Sequence, residues 1–273
     1  ERMLMDAVIR KYQGLCADRN IDPKFYNTVQ NAQDVGMLFQ HLGYKKYNLY
    51  GGSYGTRLGR VVQDYFPQFV HASILDSPSP LSGDFLIDRL NSYNLSLSRI
   101  FEYCDNTPEC REKYPSLKNR YFEAIAGLKE NPIKTAVNDT IDFVINPQDG
   151  IYLLRRLLYM GNAREKAPEM IQALQMGSGD IIQEVLGFEW QITGALNMSM
   201  LLSVEKFENF NPANSEAVIT EEYKKYPLIP VTLGYFDAIY QAGRDWHTAS
   251  MPVPERAFKA SEVPTLIFVN RYD

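Results

Sequence analysis

The sequence predicts an α/β fold in which a parallel-sheet core, incomplete in this chain, is interrupted by a large, mainly helical insertion. Short apolar runs at 47–49 and 70–75 are typical of buried parallel strands, and a helical pattern at 56–66 connects them. A long region of mainly helical periodicity follows, and the chain then ends in a β-rich run. We therefore expect core residues at 1–78, a helical lid at 79–256 and a return to the core at 257–273.

Apolar periodicity predicts the individual elements. Two helices precede the first strand, at 3–16 and 29–41. Within the insertion, helices are predicted at 86–103, 117–129, 150–159, 168–175, 181–190 and 216–226. Two alternating stretches, 133–137 and 141–145, flank Asn138-Asp139 and predict a β-hairpin.

Composition excludes some classes of partner. A chain of 273 residues with 45% hydrophobic content can bury a sizeable core. Its formal charge of −5 argues against a nucleic-acid partner, because phosphate binding needs clustered Lys and Arg. No apolar stretch approaches the ~20 residues that a membrane helix needs, and the first residues form no recognisable signal peptide. We therefore expect no membrane span.

Residues 50–56 read Tyr-Gly-Gly-Ser-Tyr-Gly-Thr and lie between the first predicted strand and the helix after it. This arrangement is typical of a nucleophile elbow, a strained turn that presents a serine. Such a turn forms only if the positions two before and two after the serine lack bulky side chains, and Gly51 and Gly55 satisfy this condition. We predict Ser53 as a nucleophile and the backbone N–H of Tyr54 as an oxyanion donor. The alternative is an ordinary glycine-rich turn.

The order of strand, elbow, helix, strand, insertion and strand is the plan of an α/β-hydrolase with a large lid. In that plan the catalytic residues follow the chain order serine, acid, histidine. Asp273 comes directly after the last predicted strand and is the predicted acid; the alternative is a loop aspartate that caps a following helix. Asp76 also follows a strand, but its place before Ser77-Pro78 fits a structural turn better.

The catalytic histidine should follow Asp273, but the three histidines of the chain all precede it. His247 lies in the insertion and is a poor candidate for the base. The first strands of the sheet and the loop that supplies a second oxyanion donor are also missing. We therefore expect this chain to be an internal portion of a longer protein, whose remaining N- and C-terminal portions complete the core.

Neither a metal nor a cofactor is predicted. His41, His71 and His247 are scattered, without a second ligand at the spacing of a metal site. Among the cysteines, Cys104 and Cys110 flank a turn-prone segment whose length suits a small disulfide loop, and it equally allows two free thiols. The third, at position 16, is either a buried thiol or has a partner outside this chain.

The chain closely resembles the tripeptidyl aminopeptidase branch of the prolyl-aminopeptidase-like serine peptidases, most specifically over residues 34–80. The segments that carry the resemblance are Leu42-Gly43-Tyr44, 47–58, Ile74-Leu75-Asp76, the short cysteine loop 104–110 with Tyr114-Pro115, the hairpin, Leu157-Leu158-Tyr159 and the final run 263–273. Essentially the whole chain is covered.

The resemblance implies a secreted or periplasmic enzyme without a cofactor that acts on a peptide substrate. Such enzymes release single residues or short peptides from the free amino end through an acyl-enzyme. A carboxylate of the lid normally binds the substrate's ammonium group, because an unpaired buried charge is costly. Glu205 lies where the family tends to place a Cys-x-Glu or Cys-x-Asp motif and is predicted as this anchor; the alternative is a solvated carboxylate at a helix end. Gly52 is also assigned to substrate binding.

The sequence departs from the family at two related positions. Ser203 replaces the cysteine of the motif that contains Glu205, and Gly243-Arg244-Asp245-Trp246 replaces a Cys-x-x-Trp motif. Both members of an apparent disulfide are therefore missing together. This change affects the expected rigidity of the lid and the specificity of the site.

Two other classes of function remain open. A lidded carboxylesterase or lipase would use the same elbow, and an apolar channel without a carboxylate near Ser53 would favour it. A non-catalytic binding protein on the same scaffold would be favoured if no histidine followed Asp273 in the longer protein.

Overall fold

The computed structural model describes residues 2–81, 84, 87–137, 141–210, 216–233, 246, 248, 251 and 259–270. These residues form two compact units. The first contains the described parts of Glu1–Asp88, Asn197–Ser215 and Tyr235–Asn270. The second contains those of Arg89–Leu196 and Glu216–Gly234.

The first unit is built on a parallel three-stranded sheet. Its strands are β1 (Tyr47–Gly52), β2 (Val70–Asp76) and β5 (Thr265–Phe268), in the order β1-β2-β5. Gly52 is paired with Asp76, and Asp76 with Phe268, so the three strands end at the same edge of the sheet. This arrangement confirms the predicted parallel core.

The helices of the first unit are α1 (Arg2–Asp18), α2 (Thr28–His41), α3 (Tyr54–Tyr65) and α10 (Met198–Glu208). The side chain of Asn27 caps α2 by accepting a hydrogen bond from the Gln30 N–H at 2.9 Å. Helix α10 was not predicted, and it groups with the first unit although its residues fall in the predicted lid.

Helices α2 and α3 cover one face of the sheet. Apolar side chains from these helices and from β1 and β2 form the core there: Ala32, Tyr47, Val61, Val62 and Val70. On the opposite face, Tyr50 of β1 and Leu266 of β5 are more than half exposed. The sheet in the described residues is thus packed mainly on one side.

The second unit is helical except for one hairpin. Its helices are α4 (Ile87–Asn106), α5 (Pro108–Lys113), α6 (Leu117–Glu130), α7 (Pro147–Leu157), α8 (Ala163–Met176), α9 (Asp180–Ala195) and α11 (Glu216–Tyr223). Strands β3 (Ile133–Val137) and β4 (Ile141–Ile145) pair antiparallel. The predicted hairpin is confirmed. The predicted helices are confirmed, although α8 begins at Ala163 rather than at 168 and α9 ends at Ala195 rather than at 190.

Apolar packing holds the second unit together. Its fully buried side chains include Leu97, Ile100, Ile145, Leu154, Leu157 and Ile171. Tyr121 is also fully buried, and its hydroxyl donates a hydrogen bond to the Leu228 carbonyl at 2.6 Å. Burial raises the pKa of this phenol well above its ordinary value, so Tyr121 remains a neutral donor.

Cys104 and Cys110 form a disulfide, which connects α4 to α5. Of the two alternatives for this pair, the disulfide loop is therefore correct. Cys16 is buried and forms no disulfide within the described residues. No helix within the described ranges is both long and apolar enough to cross a membrane.

Candidate active site

Ser53 occupies the turn between β1 and α3 in a strained backbone conformation. Its φ of 51° and ψ of −121° lie outside the regions that residues with a side chain ordinarily adopt. The Ser53 N–H donates to the carbonyl of Asp76, the last residue of β2, at 2.9 Å. This bond fixes the turn against the carboxyl edge of the sheet, and the Ser53 side chain is exposed there. The structure therefore contains the predicted elbow.

The two glycines of the elbow have different roles. A Cβ atom on Gly51 would lie 2.2 Å from the Gly55 carbonyl oxygen, so the turn requires glycine at position 51. A Cβ atom on Gly55 would meet no atom within 4 Å. The predicted steric requirement is thus confirmed at position 51, whereas position 55 has room for a Cβ. Gly52 is likewise surrounded by open space.

The first turn of α3 presents hydrogen-bond donors next to Ser53. Tyr54 is the first residue of this helix, so its N–H has no acceptor within the helix. The positive end of the helix dipole favours negative charge at this point. Thr56 steadies the turn, because its hydroxyl donates to the Ser53 carbonyl at 2.6 Å and accepts from the Ser79 N–H at 2.8 Å. The arrangement suits a donor to a developing oxyanion.

The Tyr54 side chain is directed to the beginning of α2. Its hydroxyl is 2.8 Å from the Thr28 Oγ1 and accepts a hydrogen bond from the Asn31 side chain at 3.2 Å. Burial is the main cause that raises the pKa of the Tyr54 phenol, so the hydroxyl stays protonated at neutral pH. Two hydrogen bonds therefore hold the side chain of the residue that follows Ser53.

A buried ion pair lies behind the elbow, and sequence reasoning missed it. Arg57 donates from Nη1 to Oε2 of Glu208 at 2.9 Å, and the two side chains are 5% and 0% exposed. The other carboxylate oxygen of Glu208 accepts from the Thr28 N–H at 2.6 Å. Burial raises the pKa of the Glu208 carboxyl, although the neighbouring Arg57 opposes the shift. The only sequence signal was the position of Arg57 one helical turn after Ser53.

Arg57 also binds the segment that follows β2. Its Nη2 donates to the Ser79 hydroxyl at 3.0 Å and to the Pro80 carbonyl at 3.3 Å, and its Nε donates to the Ser79 carbonyl at 3.3 Å. All three guanidinium nitrogens, Nε, Nη1 and Nη2, therefore donate hydrogen bonds, as a buried arginine requires.

Glu205 is buried, with 7% of its surface exposed, so the alternative of a solvated carboxylate is wrong. It precedes Glu208 by one turn of α10 and accepts a hydrogen bond from the Asn209 side chain. Its role as an ammonium anchor stays a prediction. Nearby on the same helix, the Ser203 hydroxyl accepts from the indole N–H of Trp246 at 2.9 Å. A hydrogen bond therefore connects the two motifs in which the resemblance implies a disulfide.

Asp76 is hydrogen-bonded both to the elbow and to side chains at the end of the sheet. Its carboxylate accepts from the Tyr50 hydroxyl at 3.2 Å and from the Ser77 hydroxyl at 3.4 Å, while its carbonyl accepts from the Ser53 N–H. The hydrogen bond to Asp76 raises the pKa of the Tyr50 phenol. Asp76 thus supports the elbow from the neighbouring strand.

The predicted acid Asp273 and His247 lie outside the described residues. Strand β5 nevertheless indicates where the chain leaves the sheet, because the Phe268 carbonyl accepts from the Ser77 N–H at 3.0 Å. This point is two strands, or about 10 Å, from the elbow strand at the same edge. His41 and His71 are both exposed, and no three His, Cys, Asp or Glu side chains of the described part could together hold a metal.

Comparison with known proteins agrees with this architecture. Residues 16–123 match the family model of the alpha/beta hydrolase fold, a stretch that contains the elbow and the first helices of the second unit. No curated protein matches the chain. The match supports the superfamily and does not distinguish the aminopeptidase branch from others. The chain therefore has the α/β-hydrolase fold with a helical insertion, and this fold supports a hydrolase.

Proposed function

We propose that the protein is a serine hydrolase, specifically an exported aminopeptidase that releases single residues or short peptides from peptide N-termini. The observation that carries the proposal is the strained backbone of Ser53, with φ 51° and ψ −121°, at the carboxyl edge of a parallel sheet. Such strain persists only where surrounding structure holds it, and it clusters at functional sites. Ser53 is the nucleophile of this proposal.

The proposed reaction proceeds through an acyl-enzyme. Ser53 Oγ bonds to the scissile carbonyl carbon while the triad histidine accepts the hydroxyl proton. The Tyr54 N–H stabilises the oxyanion, and the histidine then protonates the departing amine as the C–N bond breaks. Water hydrolyses the resulting ester by the same steps. In this proposal Asp273 is the acid that orients the histidine.

Specificity for the free amino end is assigned to Glu205. Its carboxylate is buried on α10, and the family resemblance assigns a carboxylate at this position to the substrate's ammonium group. The proposed anchor is on α10, the helix whose Glu208 reaches the elbow helix through Arg57. A substrate with a blocked amino group lacks the charge and binds poorly.

The disulfide between Cys104 and Cys110 supports export. Structural disulfides form and persist in oxidising compartments and are rare in the cytosol. We therefore propose that the enzyme acts in the periplasm or outside the cell.

Three substrate classes test the proposal with purified full-length protein: peptide arylamides with a free amino end, the same peptides with a blocked end, and short acyl esters. We expect turnover of the free arylamides and little of the blocked ones. Turnover of esters alone would overturn the aminopeptidase and favour a lidded carboxylesterase or lipase. No turnover, together with no labelling by a fluorophosphonate, would favour a non-catalytic binding protein.

Two variants test the assigned roles. Ser53→Ala should lower kcat by roughly 10⁴-fold or more, whereas Ser98→Ala, an exposed serine of α4, should not change it. Glu205→Gln should lower kcat/KM for free arylamides by roughly 10²-fold while leaving ester turnover unchanged. Equal losses on both substrates would remove Glu205 as the anchor.

A further inference from the structure

A buried ion pair next to the elbow calls for an explanation beyond stability. Taking both charges of Arg57 and Glu208 out of water is costly, and apolar residues of similar volume often stabilise a protein as well or better. The direction in which burial moves the pKa of Glu208 agrees with such a cost. A stability role alone therefore gives no reason for charged groups at this place.

The hydrogen bonds of the pair belong to a closed network, here called the circuit, that begins and ends in the first turn of α3. The Tyr54 hydroxyl contacts the Thr28 hydroxyl at 2.8 Å, and the Thr28 N–H donates to Glu208 at 2.6 Å. Glu208 accepts from Arg57 at 2.9 Å, and Arg57 returns the circuit to α3 three residues after Tyr54. The circuit joins α2, α10 and the first turn of α3.

A second set of contacts acts on the same turn. Ser79 donates from its N–H to the Thr56 hydroxyl and accepts from Arg57 at both its carbonyl and its hydroxyl. Thr56 in turn donates to the Ser53 carbonyl. Arg57 belongs to both sets, so the loss of its counter-charge would affect both.

We propose that Glu208 and Arg57 are a positioning pair that holds the first turn of α3, and with it the Tyr54 N–H, in the geometry that stabilises the oxyanion. The inference rests on the proposed hydrolase function. Neither side chain touches the substrate; both act through the backbone of residues 53–56. Because a displacement of about 1 Å in a catalytic group can cost roughly 10²-fold in rate, the pair should affect kcat rather than KM.

Three variants of the full-length enzyme separate positioning from stability: Glu208→Gln, Arg57→Met, and the double variant Arg57→Met with Glu208→Leu. Each single change leaves an unpaired buried group and should lower both Tm and kcat. The double change removes both charges and should recover much of the lost Tm; the Thr28 N–H, which loses its acceptor, accounts for the remaining loss. We expect kcat to stay roughly 10- to 10²-fold low in all three, on peptides and esters alike, with KM changed less than about threefold.

A matched control is available on the same helix. Arg60 and Asp64 form a partly exposed ion pair at 2.8 Å on α3, away from its first turn. Asp64→Asn removes this pair and should leave kcat at the wild-type value. A comparable fall in kcat in Asp64→Asn would overturn the assignment of positioning to Arg57 and Glu208.

Labelling of Ser53 by a fluorophosphonate distinguishes the possible failures. If the wild type is not labelled, the hydrolase function and this inference both fall. If the wild type and all three variants are labelled at the same rate, only the positioning role falls. A double variant that regains wild-type kcat together with Tm would show that the pair is merely structural. Slow labelling of a stable double variant would support the proposal.

Discussion

The two compact units differ in the side chains that they bury. Twelve buried Ser, Thr, Asn, Gln, Arg and Glu side chains occur among the described residues, and eleven of them belong to the first unit. The exception is Ser96 of the second unit. Burying polar groups costs free energy unless each has a hydrogen-bond partner. Four of the eleven, Thr28, Thr56, Arg57 and Glu208, lie at the candidate site and have such partners. The second unit is stabilised chiefly by apolar packing.

The largest effect that would sharpen this contrast is expected at the elbow. Gly51→Ala places a Cβ 2.2 Å from the Gly55 carbonyl oxygen, and the backbone has to move to accept it. We expect kcat to fall by at least ~10²-fold and the free energy of unfolding to fall by about 2 to 3 kcal/mol. Peptide hydrolysis and chemical denaturation measure the two effects.

Gly55→Ala is the matched control for this change. Its Cβ would lie in open space within the first turn of α3, and alanine favours helix over glycine. We expect kcat within about threefold of the wild type and unchanged or slightly higher stability. Equal damage from the two substitutions would contradict the steric account of the elbow.

The second unit should respond in the opposite way to a change in its core. Leu154 of α7 is fully buried, and Leu154→Ala should lower the free energy of unfolding by about 2 to 5 kcal/mol. Under conditions where the variant is folded, we expect kcat to remain near its wild-type value. Hydrogen exchange would locate the loss of stability, and a large fall in kcat of the folded variant would break the comparison.

A smaller loss is expected from the disulfide. Changing both Cys104 and Cys110 to serine removes a short covalent loop and should lower the stability of the second unit by about 2 kcal/mol. Adding a reductant to the wild type should produce a similar loss, measured by thermal unfolding, and should not destabilise the double variant further. A reductant effect of equal size in the double variant would assign the loss to another cause.

The smallest expected effect concerns pH and the first unit. The pKa of Glu208 is raised in the folded chain, mainly by burial. The folded state therefore holds this proton more tightly than the unfolded state does, so the stability from this group is present at pH below ~4.3 and declines as the pH rises through the raised pKa. The free energy of unfolding of the wild type relative to Glu208→Gln should decrease between pH 4 and 7. An increase would contradict the direction of the shift.

Local patterns were sufficient to predict much of this architecture. The hairpin strands 133–137 and 141–145 were predicted at the observed positions because alternation of apolar and polar residues is a short-range signal. The elbow was predictable because its glycines and serine are adjacent in the chain. Ser53 could also be predicted without knowledge of distant residues, since the glycines on either side of it are the signal of the turn.

Features that depend on distant residues could not be predicted in this way. Arg57 and Glu208 are 151 positions apart, and no periodicity relates them. Helix α5 has only six residues, too few for a helical pattern to be recognised, and it begins with Pro108 in a segment that otherwise suggests a turn. The burial of Glu205 likewise follows from the packing of α10, which a single sequence does not show.

The two tryptophans of the chain provide one optical reporter for each unit. Trp246 of the first unit is 2% exposed and hydrogen-bonded to Ser203, whereas Trp190 of the second is 49% exposed. Fluorescence from the buried indole should be blue-shifted and shielded from iodide, and that from Trp190 should be red-shifted and readily quenched. Unfolding of the two units can thus be followed separately in the unlabelled protein.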